Sequence, residues 1–456
     1  MTTDQRLEEL RELLHGAPVI VDPAVMERYR HDWVRDPGAG QPLAVIRPSS
    51  TEHVQAVMKW ASTHRVAVIP RGAGSGLSGG ATAVDGCVVV STELMRTIVV
   101  DPLTRTATVQ PGLLNVDVKR EAAKHGLWYP PDPSSYEMCS IGGNVATNAG
   151  GLCCVKYGVT ADYVRGLTVV LADGTVAKLG GPLLKDAAGL SLTKLFVGSE
   201  GTLGFITEIV VRLVPSQPPA STVVATFRTI EDCVDAVLGV TRDLRPAMLE
   251  LMDRASIGAV ESAMKMGLDV DCGAMLIARS DARGNERDRE IEVMSRIFTD
   301  SGAIELFATD DPAEGESFMA ARRFVLPAVE KLGKVLLEDV GVPLSRLPAL
   351  IRGIQDIAAR CEVLIAVVAH AGDGNTHPLI VHDPGDEDEA RRAGVAFGEI
   401  MDLAISLGGT ITGEHGIGRL KKAWLPDQVG AGAMDLTRRV KSALDPQGIL
   451  NPGVIL

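Results

Sequence analysis

Two short stretches in the C-terminal half of this 456-residue chain carry side chains that can hold a metal and move a proton. One is His370-Ala-Gly-Asp-Gly-Asn-Thr-His377, which follows the apolar run VLIAVVA. The other is Gly413-Glu414-His415-Gly416, which follows a second short β segment. Both are expected as Gly-rich turns at strand exits. Imidazole nitrogens with a carboxylate oxygen suit zinc, manganese or iron. The plainer alternative, histidines that satisfy local turns, fits the rest better: His15, His31, His53, His64 and His125 fall in polar or helical settings, and His382 sits in a His-Asp-Pro-Gly turn. Glu414 and His415 are adjacent, so in an extended segment their side chains diverge. We therefore assign Glu414 to the metal, with His370 and His377, and His415 to general-base duty. Metal-bound oxygen acids are strongly acidified, as bound water shows by falling to a pKa of about 7. An imidazole of pKa about 6.5 can then take the proton. Arg322 and Arg323, in FMAARRFVLP, are candidate bidentate partners for a substrate carboxylate, the plainer alternative being a solvated arginine pair on a helix.

The N-terminal half carries a different kind of chemistry. Residues 70–81, Pro-Arg-Gly-Ala-Gly-Ser-Gly-Leu-Ser-Gly-Gly-Ala, follow the apolar run Val66–Ile69. Glycine lets a backbone approach a ligand with no Cβ in the way, and consecutive main-chain N–H groups form a concavity suited to phosphate. Arg71 adds a positive charge. Ile141–Gly151 (IGGNVATNAGG) and Gly198–Ile206 (GSEGTLGFI) have the same texture. One such loop reads as an ordinary tight turn; three, each bordering an apolar run, point to a large phosphate-bearing cofactor. The spacing is not a GxGxxG opening directly into a long helix, which argues against a Rossmann dinucleotide fold.

The elements that must position these residues fall into two textures. Early on, a strand at 43–47 leads through Pro48-Ser49-Ser50-Thr51-Glu52 into a helix ending near His64, with Val54, Val57, Met58 and Ala61 inward. Strands follow at 87–92, 97–101 and 106–112, a helix at about 115–125, a hairpin at 167–180 with Asp173-Gly174 at its turn, and a strand at 207–215. Pro215-Ser216-Gln217-Pro218-Pro219 is the clearest linker. Beyond it, strands are expected near 222–228, 274–279, 304–308 and 363–369, and helices near 230–243, 282–299, 345–359 and 387–407. The first residues, MTTDQRLEELRELL, read as an amphipathic helix with Leu7, Leu10 and Leu14 on one side and lack a secretory layout. No apolar run reaches the roughly 18–20 residues of a membrane span. A net charge of −13 argues against nucleic acid as a partner. Seven cysteines without CxxC spacing offer neither a disulfide framework nor an iron–sulfur site.

The motifs PRGAGSGLSGGA, PPDPSS, CSIGGNVATNAGG, GSEGTLGFITE, AHAGDGNTHP, GEHGIG and DPQGILNPG, in this order, resemble the FAD-linked D-2-hydroxyacid dehydrogenases of the vanillyl-alcohol-oxidase superfamily. The resemblance spans roughly residues 20–456 and implies an α+β protein. An N-terminal helical segment (1–37) would precede a PCMH-type FAD-binding domain of two α/β subdomains (38–217). A substrate domain with an antiparallel sheet and flanking helices would follow (218–456). The resemblance implies that Arg71, Gly72, Ala73, Gly74, Ser75, Gly76 and Leu77 cradle the pyrophosphate. Pro131, Asp132, Ser134, Ser135, Gly142, Gly143, Asn144, Thr147 and Gly151 would line the cofactor, as would Glu200, Gly201, Gly204 and Ile206, with Asn451 returning from the C-terminus. It matches His370, His377 and Glu414 to a zinc or manganese site, His415 to the base, and Arg322 and Asn375 to substrate contacts.

Two departures bear on chemistry. Relatives that tether flavin covalently carry a histidine where this chain has Ser75, so FAD is expected to be non-covalent. Those that act on 2-hydroxyglutarate carry a lysine shortly before a segment like Asp339–Pro343; the matching position here is Leu337, although Lys334 is near. Without that cation a second substrate carboxylate would lack a partner, which favours D-lactate or a similar monocarboxylate over D-2-hydroxyglutarate; glycolate is a further alternative. The implied electron acceptor is a quinone, a cytochrome or an electron-transfer flavoprotein. The expected location is the cytoplasm, free or peripheral to the inner face of the membrane, and a homodimer is compatible with it. Two rivals are a zinc hydrolase, which leaves the Gly-rich loops without a purpose, and a non-catalytic flavin subunit of an electron-transfer complex, which has no need of the metal ligands and base.

Overall fold

Leu7, Leu10 and Leu14 recur at helical spacing, and all are buried where α1 (Thr3–Leu13) packs on the chain that follows. The computed structural model describes residues 2–456, which divide into two units. The first holds the residues up to Gly150, Val159–Ser216 and Glu414–Leu456; the second holds Gly151–Gly158 and Gln217–Gly413. The main crossing thus falls between Ser216 and Gln217, inside the Pro215–Pro219 run. Glu414–Leu456, expected from the sequence to belong with the substrate domain, packs with the first unit.

The first unit has two sheets. β1 (Val19–Ile20), β2 (Ala44–Ile46), β3 (Val68–Arg71) and β4 (Val88–Ser91) form one, in the order β1-β2-β4-β3, with β2, β4 and β3 parallel. Parallel strands are covered on both faces and so read as unbroken apolar runs; Val45, Ile46, Val88, Val89 and Val90 are buried accordingly. Helix α2 (Thr51–His64) is capped by Ser50 and lays Val54, Val57, Met58 and Ala61 into this core. After α3 (Asn115–Ala123) and α4 (Ile141–Thr147), the antiparallel sheet of β5 (Ile98–Asp101), β6 (Thr106–Val109), β7 (Val164–Val170), β8 (Val176–Gly180) and β9 (Phe205–Arg212) is completed in the order β5-β6-β9-β7-β8. Its β7–β8 hairpin turns at Asp173-Gly174, where Asp173 accepts from the Thr175 N–H at 2.8 Å.

The second unit alternates strands and helices around one antiparallel sheet. In chain order these are β10 (Ser221–Phe227), α5 (Ile230–Asp243), β11 (Met248–Asp253), α6 (Arg254–Met264), β12 (Ala274–Ser280), α7 (Asn285–Asp300), β13 (Ala303–Thr309) and α8 (Pro312–Arg323). Then come β14 (Lys334–Leu337), β15 (Val340–Gly341), α9 (Leu347–Cys361), β16 (Leu364–His370), β17 (Asn375–His382) and α10 (Glu387–Ser406). The strand order is β13-β10-β12-β11-β16-β17-β14, with β15 also paired to β17. The Gly151–Gly158 segment is anchored here by the buried Asp281 carboxylate, which takes Lys156, the Tyr157 hydroxyl and Gln217 Nε2.

Two strands of the second unit run against their local sequence pattern. β11 is Met-Leu-Glu-Leu-Met-Asp, whose Met and Leu favour helix at least as much as strand. β17 contains Pro378, which argues against an interior strand because it cannot donate to the ladder; its carbonyl still accepts, from Glu338 N–H at 2.9 Å.

The C-terminal segment returns to the first unit through α11 (Leu425–Leu444), whose Val440 and Leu444 pack on the core of the antiparallel sheet. Lys441 Nζ donates to the Thr202 and Leu450 carbonyls at 2.8 and 2.7 Å. The last residues then run alongside β3: Val68 N–H donates to the Ile449 carbonyl at 2.8 Å, and Asn451 N–H to the Val68 carbonyl at 2.9 Å.

Candidate functional site

In the first unit, the three Gly-rich stretches meet at the carboxyl end of β3. Ser140, the N-cap of α4, joins the first to the second: its Oγ accepts from Ala73 N–H at 3.2 Å and from Gly143 N–H at 3.3 Å. A Cβ on Gly72 would stand 2.3 Å from that oxygen, so the approach requires glycine. The third stretch is tied to α4 by Gly198 N–H to the Val145 carbonyl (2.9 Å) and Glu200 N–H to the Ala146 carbonyl (2.8 Å). Asn451, arriving beside β3, donates from Nδ2 to the Gly80 carbonyl at 2.9 Å and to the Glu200 carbonyl at 2.7 Å.

Individual side chains are placed as follows. Arg71 turns back on its own unit, donating to the carbonyls of His31 (2.6 Å) and Arg28 (3.2 Å), and burial pulls its guanidinium below its ordinary range. Gly74, Ser75, Gly76 and Leu77 lie half-buried in the open part of the loop, while Pro131 and Asp132 are buried and Ser134 is exposed beside the half-buried Ser135. Asn144 accepts from the buried amide of Asn115 at 3.0 Å, a residue that no sequence motif singled out. Thr147 bonds within its own helix, to the Gly143 carbonyl at 3.2 Å. A Cβ would meet Pro111 at Gly142, the Pro70 ring at Gly201 and the Val169 side chain at Gly204, and Ile206 is a core residue of β9. Gly151 belongs to the second unit.

The Gly413–Gly416 motif is fastened to these loops within the first unit. The Glu200 carboxylate accepts from Ile417 N–H at 2.7 Å and Gly418 N–H at 2.8 Å. Burial pushes this carboxyl up to about 7, against the pull of those two donors and of Lys421. Ser78 Oγ donates to the His415 carbonyl at 3.1 Å, and the Ser78 carbonyl accepts from Arg419 N–H at 3.0 Å. The motif is a bend and not an extended strand. Glu414 and His415 therefore do not diverge as expected: Glu414 Oε1 lies 3.6 Å from His415 Nε2.

The second unit gathers its polar groups by strand register. Glu250 on β11 pairs with His370 on β16, and His370 pairs with Asn375 on β17. His377 pairs with Val368, Leu379 with Leu337, and Asn375 with Gly341. Paired residues share a face and alternate residues return to it. Glu250, His370, Asn375, His377, Leu337 and, two residues on, Asp339 thus occupy one face. His377 lies within β17, and only Ala371–Gly374 forms the turn, which corrects the expectation of two histidines in one Gly-rich loop.

The contacts across that face are close. His370 Nδ1 stands 2.9 Å from both oxygens of Glu250, which has no solvent exposure. Arg322, in the last turn of α8, brings Nε to 3.0 Å from Glu250 Oε2. Nε and Nη2 are both buried, and neither has a hydrogen-bond partner among the described residues, so the contact with Glu250 is an ion pair without hydrogen-bond geometry. His377 Nδ1 is 3.4 Å from the Glu338 carbonyl and 3.7 Å from Asp339 Oδ1, and the two imidazoles meet edge-to-face with centroids 5.1 Å apart. Asp339 also accepts from Thr412 Oγ1 at 2.7 Å and, at its carbonyl, from the N–H of Gly413, the residue before Glu414. A carboxylate only accepts, so Glu250 fixes a proton on His370 Nδ1 and leaves the lone pair on Nε2. That is the arrangement found behind metal-ligating histidines, and the donor set fits a divalent cation. Lys334 pairs with His382 at the far end of β17, an odd number of residues from Leu337 and therefore on the opposite face.

Glu250 and Asp339 are the polar residues of this face that sequence reasoning did not single out, and for Glu250 a signal was present. The available signal was a lone acidic residue inside the apolar run Met248–Met252, since an unpaired carboxylate is seldom tolerated in a core.

Comparison with known proteins places the chain. Residues 217–455 match the family described as FAD linked oxidases, C-terminal domain, and residues 42–180 match an FAD binding domain. The chain is 40% identical over 415 residues to the glycolate oxidase subunit GlcD of Bacillus subtilis, covering 90% of this chain and 88% of the relative. It is 34% identical over 467 residues to the D-lactate dehydrogenase of Anaerostipes hadrus (99% and 97% covered). It is 30% identical over 464 residues to the D-2-hydroxyglutarate dehydrogenase of Stutzerimonas stutzeri (100% and 99% covered). Among solved structures, p-cresol methylhydroxylase with substrate bound superposes with a TM-score of 0.80 at 18% identity, covering 99% of this chain and 96% of that one, which establishes the fold alone. The chain belongs to the FAD-linked oxidases and is an FAD-linked oxidoreductase of the hydroxyacid dehydrogenase group, on a PCMH-type fold. No helix among the described residues is long and apolar enough to cross a membrane.

Proposed function

We propose that this protein oxidises a small D-2-hydroxy monocarboxylate, D-lactate or a close relative of it, to the 2-oxo acid. The observation that carries the proposal is the single sheet face on which Glu250, His370, Asn375, His377 and Leu337 are brought together by register, with Arg322 at its edge. An apolar Leu337 on that face, with Lys334 on the other, supports a substrate with one carboxylate. The relatives named for glycolate and D-lactate act on monocarboxylates, which agrees with this reading.

In the proposed mechanism, Arg322 holds the substrate carboxylate through its outer guanidinium nitrogens, while the Nε edge stays ion-paired with Glu250. Asn375 orients the substrate from the same face. His370, His377 and Glu414 are the residues that would hold the divalent cation. His415 takes the hydroxyl proton, its backbone kept in place by Ser78 and by the Glu200 clip on Ile417 and Gly418. FAD, held non-covalently by the Gly-rich loops, would supply the hydride acceptor, and the cation, when bound, would supply Lewis acidity for the substrate hydroxyl. The hydroxyl proton and the Cα hydride leave together, so the products are the 2-oxo acid and reduced flavin. Electrons then pass to an external acceptor: a quinone, a cytochrome or an electron-transfer flavoprotein.

The test is anaerobic absorbance of the purified holoprotein during titration with D-lactate, L-lactate, glycolate and D-2-hydroxyglutarate, before and after chelation. The expected result is flavin bleaching by a D-monocarboxylate, lost on chelation and restored by added zinc or manganese. A yellow protein that none of these acids bleaches would refute the proposal.

A further inference from the structure

Glu250 lies 72 residues before Arg322 and 120 before His370, and touches both. Its carboxylate has no exposure, stands 2.9 Å from His370 Nδ1 at both oxygens, and forms an ion pair with Arg322, whose Nε lies 3.0 Å from Oε2. Stability does not account for such a group. A buried ion pair can usually be replaced by apolar residues of similar volume with no loss of stability, and one charge left without the other is strongly destabilising. A carboxylate in the middle of an apolar strand therefore calls for a role that packing does not supply.

We propose that Glu250 is a shared positioning residue, one carboxylate that orients the imidazole of His370 and the guanidinium of Arg322 at the same time. Toward His370 it fixes the proton on Nδ1, so that Nε2 presents its lone pair to a cation. Toward Arg322 it supplies the opposite charge beside the Nε edge of the guanidinium and so leaves the outer nitrogens for a substrate carboxylate. The metal ligand and the carboxylate anchor are thereby held at a fixed mutual geometry by a residue that contacts neither substrate nor metal. This inference rests on the proposed function for the roles of His370 and Arg322.

The experiment compares wild type, Glu250→Gln, Glu250→Asp, His370→Ala and Leu251→Ala as FAD-loaded proteins. Leu251 is equally buried in β11 but faces the other side of the sheet, so its truncation reports a purely structural defect. Zn²⁺ affinity is measured without substrate by competition with a chromogenic chelator. Glu250→Gln is expected to weaken Zn²⁺ binding about 10–100-fold, Glu250→Asp less, and Leu251→Ala within about twofold of wild type. At saturating Zn²⁺, the KM of Glu250→Gln for D-lactate should rise about tenfold or more, with a smaller fall in kcat. If Glu250→Gln fails to retain FAD, Glu250→Asp carries the same comparison. Zn²⁺ affinity unchanged in the Glu250 variants but lost in His370→Ala would overturn the shared-positioning role while leaving the metal site standing. A wild-type protein that takes up no divalent cation would overturn both.

Discussion

Glu200 offers a prediction whose size follows from the structure. Its carboxyl is buried between the third Gly-rich stretch and the Gly416–Gly418 backbone, where burial raises it from the ordinary 4.5 to about 7. A carboxyl raised on folding binds its proton more tightly in the folded state. Its stabilising contribution is therefore fully present below pH 4.5 and is lost as pH climbs through 7. The gap of roughly 2.5 pH units, at 1.36 kcal/mol per unit, amounts to about 3 kcal/mol. Glutamine has nearly the same shape and does not titrate. Relative to Glu200→Gln, wild type should thus lose about 3 kcal/mol of local stability between pH 4.5 and about 8. Asp253, which burial pushes up to about 6, titrates in the same window but is present in both proteins and largely cancels, whereas Asp32, also pushed up to about 6, is one of the charges that raise Glu200 and titrates with it.

A chain of two units need not melt in one step, so a single global unfolding energy is the wrong quantity to measure. Amide hydrogen exchange of peptides covering 414–421, corrected for the intrinsic pH dependence of exchange, reads the clip itself. A difference between the two holoproteins that stays flat with pH to within about 0.5 kcal/mol, or grows in the opposite direction, would refute the assignment of Glu200 as a buried, protonatable clip.

Two further predictions concern the site. Gly418 has φ +55°, and a Cβ there would come within 1.9 Å of the Ser78 carbonyl oxygen. Gly418→Ala should therefore displace His415 and lower kcat about 100-fold while FAD is still retained; steady-state kinetics normalised to flavin content checks this, and a kcat within twofold of wild type would contradict it. Leu337→Lys places a cation on the His370–His377 face and should raise the ratio of kcat/KM for D-2-hydroxyglutarate over D-lactate by about 10–100-fold. Lys334→Leu, on the opposite face, should leave that ratio unchanged.

What the sequence could disclose about this site divides along contact range. The Gly-rich loops were legible because glycine records a local demand, a backbone that must pass close to something, and the demand is written where it occurs. Their convergence followed from the expectation of one shared ligand, and the structure meets it through Ser140, Asn451 and Glu200. His370 and His377 were legible as candidate ligands, yet their true setting, on two strands of a hairpin, was hidden by Pro378 and by glycines that belong only to the turn. The partners of Glu250 were not legible, because they arise from pairing β11 with β16, across 120 residues. The same holds for Glu414–Leu456: nothing local says that this stretch, after a long second unit, packs again with the first. Composition and spacing therefore singled out the residues proposed to carry the chemistry. The residues that aim them are set by register, and the one trace such residues leave in a sequence is a polar side chain in a place where an apolar one would pack as well. By that criterion Glu250 stands out from its apolar neighbours in the sequence alone, whereas Asp339, which follows Glu338 at the end of an apolar strand, does not.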